Sequence, residues 1–105
     1  MDANPIPLRL SARTRYDALV AAVAVAVDDA DPIGLLALGC PADEYSAEVG
    51  TIVPRVSKAS DTAEVRRIIH EEFVRWFDAS MAGPETAYES LASRVWEAVV
   101  QFRAV

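Results

Sequence analysis

The sequence is poor in the residues that build most metal and redox sites. Its 105 residues include a single cysteine, Cys40, and a single histidine, His70. One cysteine forms no internal disulfide, so the pattern of a small secreted domain held together by disulfides is absent. A structural zinc site needs four ligands, usually sulfurs and imidazoles, and the sequence does not supply them. We therefore predict no structural metal and no bound cofactor.

Long apolar runs and basic charge are also scarce. The most apolar stretch covers only residues 18–27, whereas a membrane-spanning helix needs roughly twenty residues. Ten basic residues against sixteen acidic residues give a formal net charge of −6, which argues against nucleic acid or an anionic membrane as a partner. The start of the chain lacks the basic residues of a signal peptide. We expect a cytoplasmic protein that binds neither nucleic acid nor membrane.

Length, composition and periodicity together indicate one helical domain over residues 1–105. The chain is 52% hydrophobic and 25% charged, which is typical of a single globular core. Apolar residues recur at helical spacing in four segments, and this predicts an all-α bundle of four main helices. The predicted helices begin near residues 11–14, 47, 61 and 84, and they end near residues 28, 58, 78 and the end of the chain. Residues 1–10 are predicted to be an extended lead-in, because they contain two prolines.

The connector after the first helix contains the signals of one additional short helix. Asp31 suits a helix N-cap, Pro32 suits the first helical position, and Gly39 suits a left-handed position at the end. We therefore predict a short helix over residues 31–39.

Two of the main helices have recognisable starts. Ser46 is placed to cap the second main helix. Asp61 and Glu64 have the spacing of a capping box at the start of the third. These polar residues stand directly before apolar periodic segments, so they predict where the helices begin.

The last two main helices carry most of the aromatic residues of the predicted core. Trp76 and Trp96 share helical spacing with Phe73 and Val95, and aromatic residues in such a pattern are usually core residues. We predict that these four side chains form one buried cluster. An exposed Trp76 would instead favour an aromatic binding groove.

Negative charge is concentrated between the first two main helices. Residues 28–48, which we call the acidic connector, contain no lysine or arginine and six acidic residues: Asp28, Asp29, Asp31, Asp43, Glu44 and Glu48. A patch of this kind attracts a basic partner surface. The same carboxylates also have a structural interpretation as helix caps and solvated loop residues.

We predict that part of the acidic connector forms an interaction surface at one end of the bundle. The candidate residues are Asp31, Asp43, Glu44, Tyr45 and Arg75. Asp31 is expected to cap the short helix. Tyr45 is expected to pack its ring on the bundle and to bond a carboxylate or an arginine through its hydroxyl. Arg75 is expected to pair with Asp43 or Glu44 across the bundle.

Other site chemistries are incomplete in this sequence. Residues 29–34 begin like a calcium-binding EF-hand loop, but the twelfth position is Cys40, where a glutamate is required. His70 and Glu71 lack the second histidine of a zinc-protease helix. The sequence contains no glycine-rich phosphate loop and no recognisable catalytic triad. A looser Mg²⁺ or Ca²⁺ site built from carboxylates of the acidic connector stays open as an alternative.

Three segments of the sequence resemble a family of small bacterial proteins. They are DPIGLL at residues 31–36, GCPADEY at residues 39–45 and FVRWF at residues 73–77. Together they resemble the YugE-like family, whose members contain a domain of unknown function. The resemblance covers about residues 16–100 and implies a small helical fold without a known activity. Cys40 stands where the family pattern favours alanine, so the resemblance gives Cys40 no role as a nucleophile.

Small size, acidic charge and incomplete catalytic motifs predict a non-enzymatic protein-interaction module of the immunity or accessory type. Its predicted partner is another protein with a basic surface. The alternative is a protein that binds a small ligand or a divalent metal, or a minor enzyme, through the acidic connector.

Overall fold

The protein is an all-α bundle in a computed structural model, which describes residues 8–40 and 44–104. Its helices are α1 (Leu8–Ala30), α2 (Ser46–Val56), α3 (Thr62–Trp76), α4 (Ala79–Ala82) and α5 (Glu89–Arg103), with a 3-10 turn (Glu85–Tyr88) before α5. Helices α1, α2, α3 and α5 are long, and the described residues contain no strand. The predicted fold class, an all-α bundle of four main helices, is confirmed.

The long helices bury their apolar stripes against one another. Helix α1 packs mainly on α5, α2 packs on α3, and α3 also packs on α5. Side chains spaced three and four residues apart fill the space between α2, α3 and α5: Val49, Ile52, Val53, Val56, Val65, Ile68, Ile69, Phe73, Leu91, Val95 and Val99. This spacing puts them on one side of each helix, so the bundle has a continuous apolar core.

The helix starts confirm one predicted cap and correct another. Asp61 is the N-cap of α3, and its Oδ1 accepts a hydrogen bond from the Glu64 amide at 2.8 Å. The Glu64 carboxylate accepts in return from the amide of Ser60 at 2.7 Å, one residue earlier than in the usual capping box. Ser46, predicted as a cap, is instead the first residue of α2. Tyr45 occupies the N-cap position and makes no capping hydrogen bond with its side chain.

Two segments differ from the sequence prediction. Residues 8–10, predicted as extended, belong to α1, because leucine and arginine favour helix and no glycine or proline interrupts them. Residues 1–7 of the predicted lead-in lie outside the described residues. Residues 31–39, predicted as a short helix, form a succession of hydrogen-bonded turns. Asp31, Gly34 and Gly39 have φ angles of 46°, 83° and 92°, and these interrupt the right-handed backbone of a helix.

The predicted aromatic cluster forms without Trp76. Phe73 is fully buried and Trp96 packs half-buried against the core, but Trp76 is 44% exposed. Trp76 lies in the last turn of α3, where its indole N–H donates to the Thr51 hydroxyl at 2.9 Å. Phe77 takes the inner position instead, stacked on Phe73 with ring centroids 6.0 Å apart. The prediction of a buried Trp76 is therefore wrong.

Candidate functional site

Asp31 and Tyr45 meet at the base of the acidic connector. The Tyr45 hydroxyl donates to Asp31 Oδ1 at 2.7 Å. The Tyr45 hydroxyl oxygen in turn accepts hydrogen bonds from the amides of Ile33 at 3.1 Å and Leu35 at 3.4 Å. Tyr45 is 1% exposed, and its ring lies edge-on to Phe73 with centroids 5.8 Å apart. The sequence predicts this placement of Tyr45, with its ring packed on the bundle and its hydroxyl bonded to a carboxylate.

The Asp31 carboxylate closes the turns that follow it. Its Oδ1 accepts from the amide of Leu36 and its Oδ2 from the amide of Ala37, both at 3.0 Å. Asp31 thus caps amides five and six residues ahead rather than the start of a helix, because its own φ of 46° turns the chain back. Aspartate is one of the few non-glycine residues that adopt this left-handed conformation. We call residues 31–40 the Asp31 loop.

These contacts set the protonation of both side chains. The hydrogen bond from Tyr45, assisted by backbone amides that include those of Leu36 and Ala37, holds the pKa of Asp31 below its ordinary value of 3.8, although desolvation opposes this. Burial, followed by the hydrogen bond to Asp31, raises the pKa of Tyr45 to about 12. A general acid or base exchanges protons near the working pH. Neither group has a pKa near neutral pH, so the pair has the properties of a structural contact.

Two of the other predicted site residues, Glu44 and Arg75, lie in the described part of the chain. Glu44 is exposed beside Tyr45 in the chain, and Asp43 lies outside the described residues. Arg75 donates to Oε2 of Glu72 at 3.3 Å on its own helix. The sequence analysis predicted that Arg75 pairs with Asp43 or Glu44 instead. Glu72 lies about one helical turn before Arg75, so the two side chains are neighbours on the surface of α3.

The Asp31 loop presents a leucine to solvent. Leu38 is 81% exposed, more than any other large apolar side chain in the described part of the chain. Its amide donates to the carbonyls of Gly34 and Leu35, each at 3.2 Å. Leu35 and Leu36 pack partly against the core. The backbone of the loop is therefore held by hydrogen bonds and by the core, while the Leu38 side chain remains in water.

The remaining carboxylates of the acidic connector divide between surface and interior. The Asp29 side chain is 62% exposed, and Arg94 donates to it at 3.0 Å between α1 and α5. Glu44 is exposed, whereas Glu48 in the first turn of α2 is 6% exposed. Among the described carboxylates of the acidic connector, Asp29 and Glu44 are therefore the exposed ones.

A charge cluster around one buried glutamate lies between α2 and α3, and the sequence analysis missed it. Glu72 is 1% exposed, and its Oε2 accepts from Arg55 at 2.8 Å and from Arg75 at 3.3 Å. Arg55 also donates to Glu71 at 2.8 Å. The hydrogen bond from Arg55 lowers the pKa of Glu71, and the two glutamates raise the pKa of Arg55. The available signal was that Glu72 falls four residues after Ile68, on the apolar side of the helix.

The cavity beside the Asp31 loop is small. Its volume is about 190 Å³, and Asp31 forms part of its wall. The rest of the wall includes Pro32, Ala82, Tyr88 and Leu91. Pockets that enclose a drug-sized ligand have volumes of roughly 300–1,000 Å³. In residues 8–40 and 44–104, no group of three or more histidine, cysteine, aspartate or glutamate side chains is placed to hold a metal ion.

Comparison with known proteins does not assign the chain to a family. No family model, curated protein or solved structure matches the chain. The resemblance to the YugE-like family therefore stays a prediction. Among the helices that the structure describes, none is long and apolar enough to cross a membrane.

Proposed function

We propose that this protein is a non-enzymatic interaction module that binds a partner protein through the Asp31 loop. The observation that carries the proposal is the 81% exposure of Leu38 on a loop whose backbone is tied to the core by Asp31 and Tyr45. A few side chains that fill a partner pocket near the centre of an interface contribute most of the binding energy in many complexes. A loop that is already ordered loses less conformational entropy when it binds. Both properties suit Leu38 as an anchor.

The charges around the loop favour a basic partner. Asp29 and Glu44 are exposed on either side of the loop in the sequence, and residues 28–48 contain no lysine or arginine. Carboxylates around an apolar anchor speed encounter with a basic surface and discriminate against acidic surfaces. The partner we propose is a protein with an apolar pocket bordered by lysine or arginine. An immunity-type or accessory protein acts by binding of this kind.

We also propose that the protein belongs to the YugE-like family and that it is cytoplasmic. The YugE-like motif at residues 31–36 and 39–45 coincides with the Asp31 loop and the residues that follow it, so the motif would mark the binding surface. A single free cysteine, Cys40, does not require an oxidising compartment. A net charge of −6 disfavours contact with nucleic acid. We accordingly place the protein in the cytoplasm, with no nucleic acid as a partner.

Cation or small-ligand binding by the acidic connector receives less support. The Asp31 carboxylate already accepts hydrogen bonds from the Tyr45 hydroxyl and from the amides of Leu36 and Ala37. A cation would therefore compete with these three donors for the lone pairs of the two carboxylate oxygens.

Three variants of the full chain test the interaction proposal. Leu38→Ala removes the anchor, and Glu44→Lys reverses the charge beside it. Val100→Ala is the matched control, because Val100 is an exposed apolar residue on α5 rather than on the loop. A protein captured from the native host by the tagged parent chain is identified by mass spectrometry, purified, and titrated against each variant by calorimetry.

We expect Leu38→Ala to weaken binding by about tenfold or more. Glu44→Lys should weaken binding more at low salt than at high salt, and Val100→Ala should bind like the parent. Circular dichroism verifies that each variant is folded. Equal affinity of all three variants for the partner would refute the loop as the binding surface.

A further inference from the structure

A shallow apolar groove runs between α1 and α5. Ala18, Ala22 and Val25 of α1 line it together with Ala98 of α5. The three α1 residues are exposed, Val25 to 54%. Next to this line α1 buries a second apolar set, Leu19, Val23, Ala26 and Val27, of which Leu19 and Ala26 also border the groove. Apolar residues beyond the core-facing side are typical of a helix that another helix covers there as well.

Four exposed residues of α1, together with the half-buried Arg15, follow the spacing of a coiled coil. Arg15, Ala18, Ala22, Val25 and Asp29 are separated alternately by three and four residues. This alternation places them along one line of the helix. Alanines in the middle of the line let a second helix approach to the short end of the usual 8–10 Å interaxial range. We call these five residues the α1 seam.

The two ends of the α1 seam have opposite charge. At the N-terminal end, Arg15 donates to the Phe102 carbonyl at 3.2 Å and remains half-buried. At the C-terminal end, Asp29 is exposed beside Arg94, and the exposed Glu97 borders the same part of the groove. A second α1 laid parallel would bring like charges together. An antiparallel α1 brings each basic end to an acidic end.

The order of charges along α1 is unfavourable for α1 by itself. The helix has no acidic residue in its first turn and no basic residue in its last turn. Asp28 and Asp29 lie instead at the C-terminal end, where the helix dipole is negative. In an antiparallel pair, this end lies beside the arginine-bearing part of the other helix. Within the chain Arg94 already pairs with Asp29, and an antiparallel α1 adds a second cation at this end.

We propose that a second copy of this chain covers the α1 seam in an antiparallel, two-fold symmetric dimer. The two-fold axis passes near Ala22, and Arg15 of each copy lies toward Asp29 of the other. A two-fold interface requires a self-complementary surface. The α1 seam meets this requirement, because its apolar middle is flanked by ends of opposite charge. A helix of another protein would require no such relation between the two ends.

This dimer and the proposed partner site share Asp29 but not the apolar anchor Leu38. Leu38 lies on the Asp31 loop, whereas the α1 seam ends at Asp29. Leu38→Ala is therefore a suitable control for dimerisation, because it alters the partner site and leaves the seam intact.

Analytical ultracentrifugation of the full chain over a range of concentrations tests whether the dimer exists. We expect a reversible dimer for the parent and for Leu38→Ala. Val25→Asp places an unpaired carboxylate in the seam and should raise the dimer dissociation constant by about a hundredfold or more. Since Val25 is exposed in the single chain, this variant should fold, which circular dichroism verifies. A monomeric parent at the highest concentration, or a dimer that is unaffected by Val25→Asp, overturns the proposal.

Disulfide cross-linking in a Cys40→Ser background tests the direction of the two helices. Ala22→Cys lies at the expected axis and should cross-link to its own copy. Ala18→Cys is the matched control, because Ala18 is exposed on the same seam about 6 Å from Ala22 along the helix. In an antiparallel pair the two copies of residue 18 are about 12 Å apart along the helix and do not cross-link. Cross-linking at both positions would show a parallel pair, and cross-linking at neither would place the contact elsewhere. Both results contradict the proposal.

Discussion

The hydroxyl of Tyr45 donates a hydrogen bond to the Asp31 carboxylate at 2.7 Å. This contact joins the first residue of the Asp31 loop to the residue directly before α2. The same hydroxyl accepts from two amides of the loop. Because the Tyr45 ring is buried against Phe73, the conformation of the loop depends on the packing of the core. The exposed Leu38 is thereby connected to the interior through hydrogen bonds.

Tyr45→Phe should destabilise the protein by about 1–3 kcal/mol, because the amides of Ile33 and Leu35 lose their acceptor. Urea denaturation measures the loss. Hydrogen exchange should show faster exchange at the same two amides. Tyr16→Phe is the control, since Tyr16 packs edge-on to Phe102 in another part of the bundle. If Tyr45→Phe keeps the stability and the exchange rates of the parent, then other contacts hold the loop.

Acid should remove the contribution of Asp31. The pKa of Asp31 is lowered in the folded protein, so its carboxylate stabilises the fold above its ordinary value of 3.8. That contribution is lost as the pH falls through the lowered pKa. Denaturation of the parent and of Asp31→Asn should show a gap in unfolding free energy at neutral pH that closes on acidification. Glu71 also has a lowered pKa, but it is present in both chains and cancels in the difference. A gap that does not depend on pH would contradict this assignment.

Two tyrosines should ionise late in an alkaline titration. Burial raises the pKa of Tyr88 to about 12, and burial together with Asp31 raises that of Tyr45 to about 12. Because both values lie above the ordinary value of 10.0, this stabilisation is present below pH 10 and is lost as the pH rises toward 12. Tyrosinate absorbance should show two late ionisations, and Tyr45→Phe and Tyr88→Phe should each remove one. Ionisation of all tyrosines in a single step near pH 10 would exclude both assignments.

Arg55→Met should cost about 3 kcal/mol or more, because Glu72 is 1% exposed and loses its nearest cation. Arg67→Met is the matched control. Arg67 pairs with Glu71 at 3.0 Å on the surface, so its loss should cost less than about 1 kcal/mol. The double variant Arg55→Met/Glu72→Met should regain much of the lost stability, since no buried charge remains unpaired. Equal losses for the two arginine variants would show that Arg75 is a sufficient partner for Glu72.

The helices and one site contact were predictable because their signals are local. The start of α3 follows from Asp61 and Glu64, which are close in sequence and bond each other. The placement of Tyr45 follows from an aromatic ring with one polar end beside several acidic residues. The left-handed conformation of Asp31 was not predictable in the same way. Tyr45 lies 14 residues further along the chain, and its hydroxyl accepts hydrogen bonds from the amides of Ile33 and Leu35. These contacts hold the backbone after Asp31 in turns rather than in the helix that the local sequence predicts.

The errors at Trp76 and Glu72 have a different physical origin. Helical spacing identifies the side of a helix, but at the last turn of α3 it does not decide between Trp76 and Phe77. Phe77 stacks on Phe73, and the larger Trp76 remains outside with its N–H bonded to Thr51. Glu72 lies on the apolar side because arginines on two helices reach it. The position of Glu72 on the apolar side is visible within α3, but its pairing with Arg55 of α2 leaves no pattern within either helix.

The start of α3 and the charges of α1 have a consequence for the order of folding. Helix α3 contains a cap, an acidic first turn and a basic last turn within or next to its 15 residues. Helix α1, with 23 residues, has no acidic first turn and no basic last turn. Short-range contacts decide whether a helix forms before it packs. We therefore expect α3 to form early and α1 to form late, on a surface that α5 and α2 already provide. The longest helix of the protein is thus the one that depends most on the others.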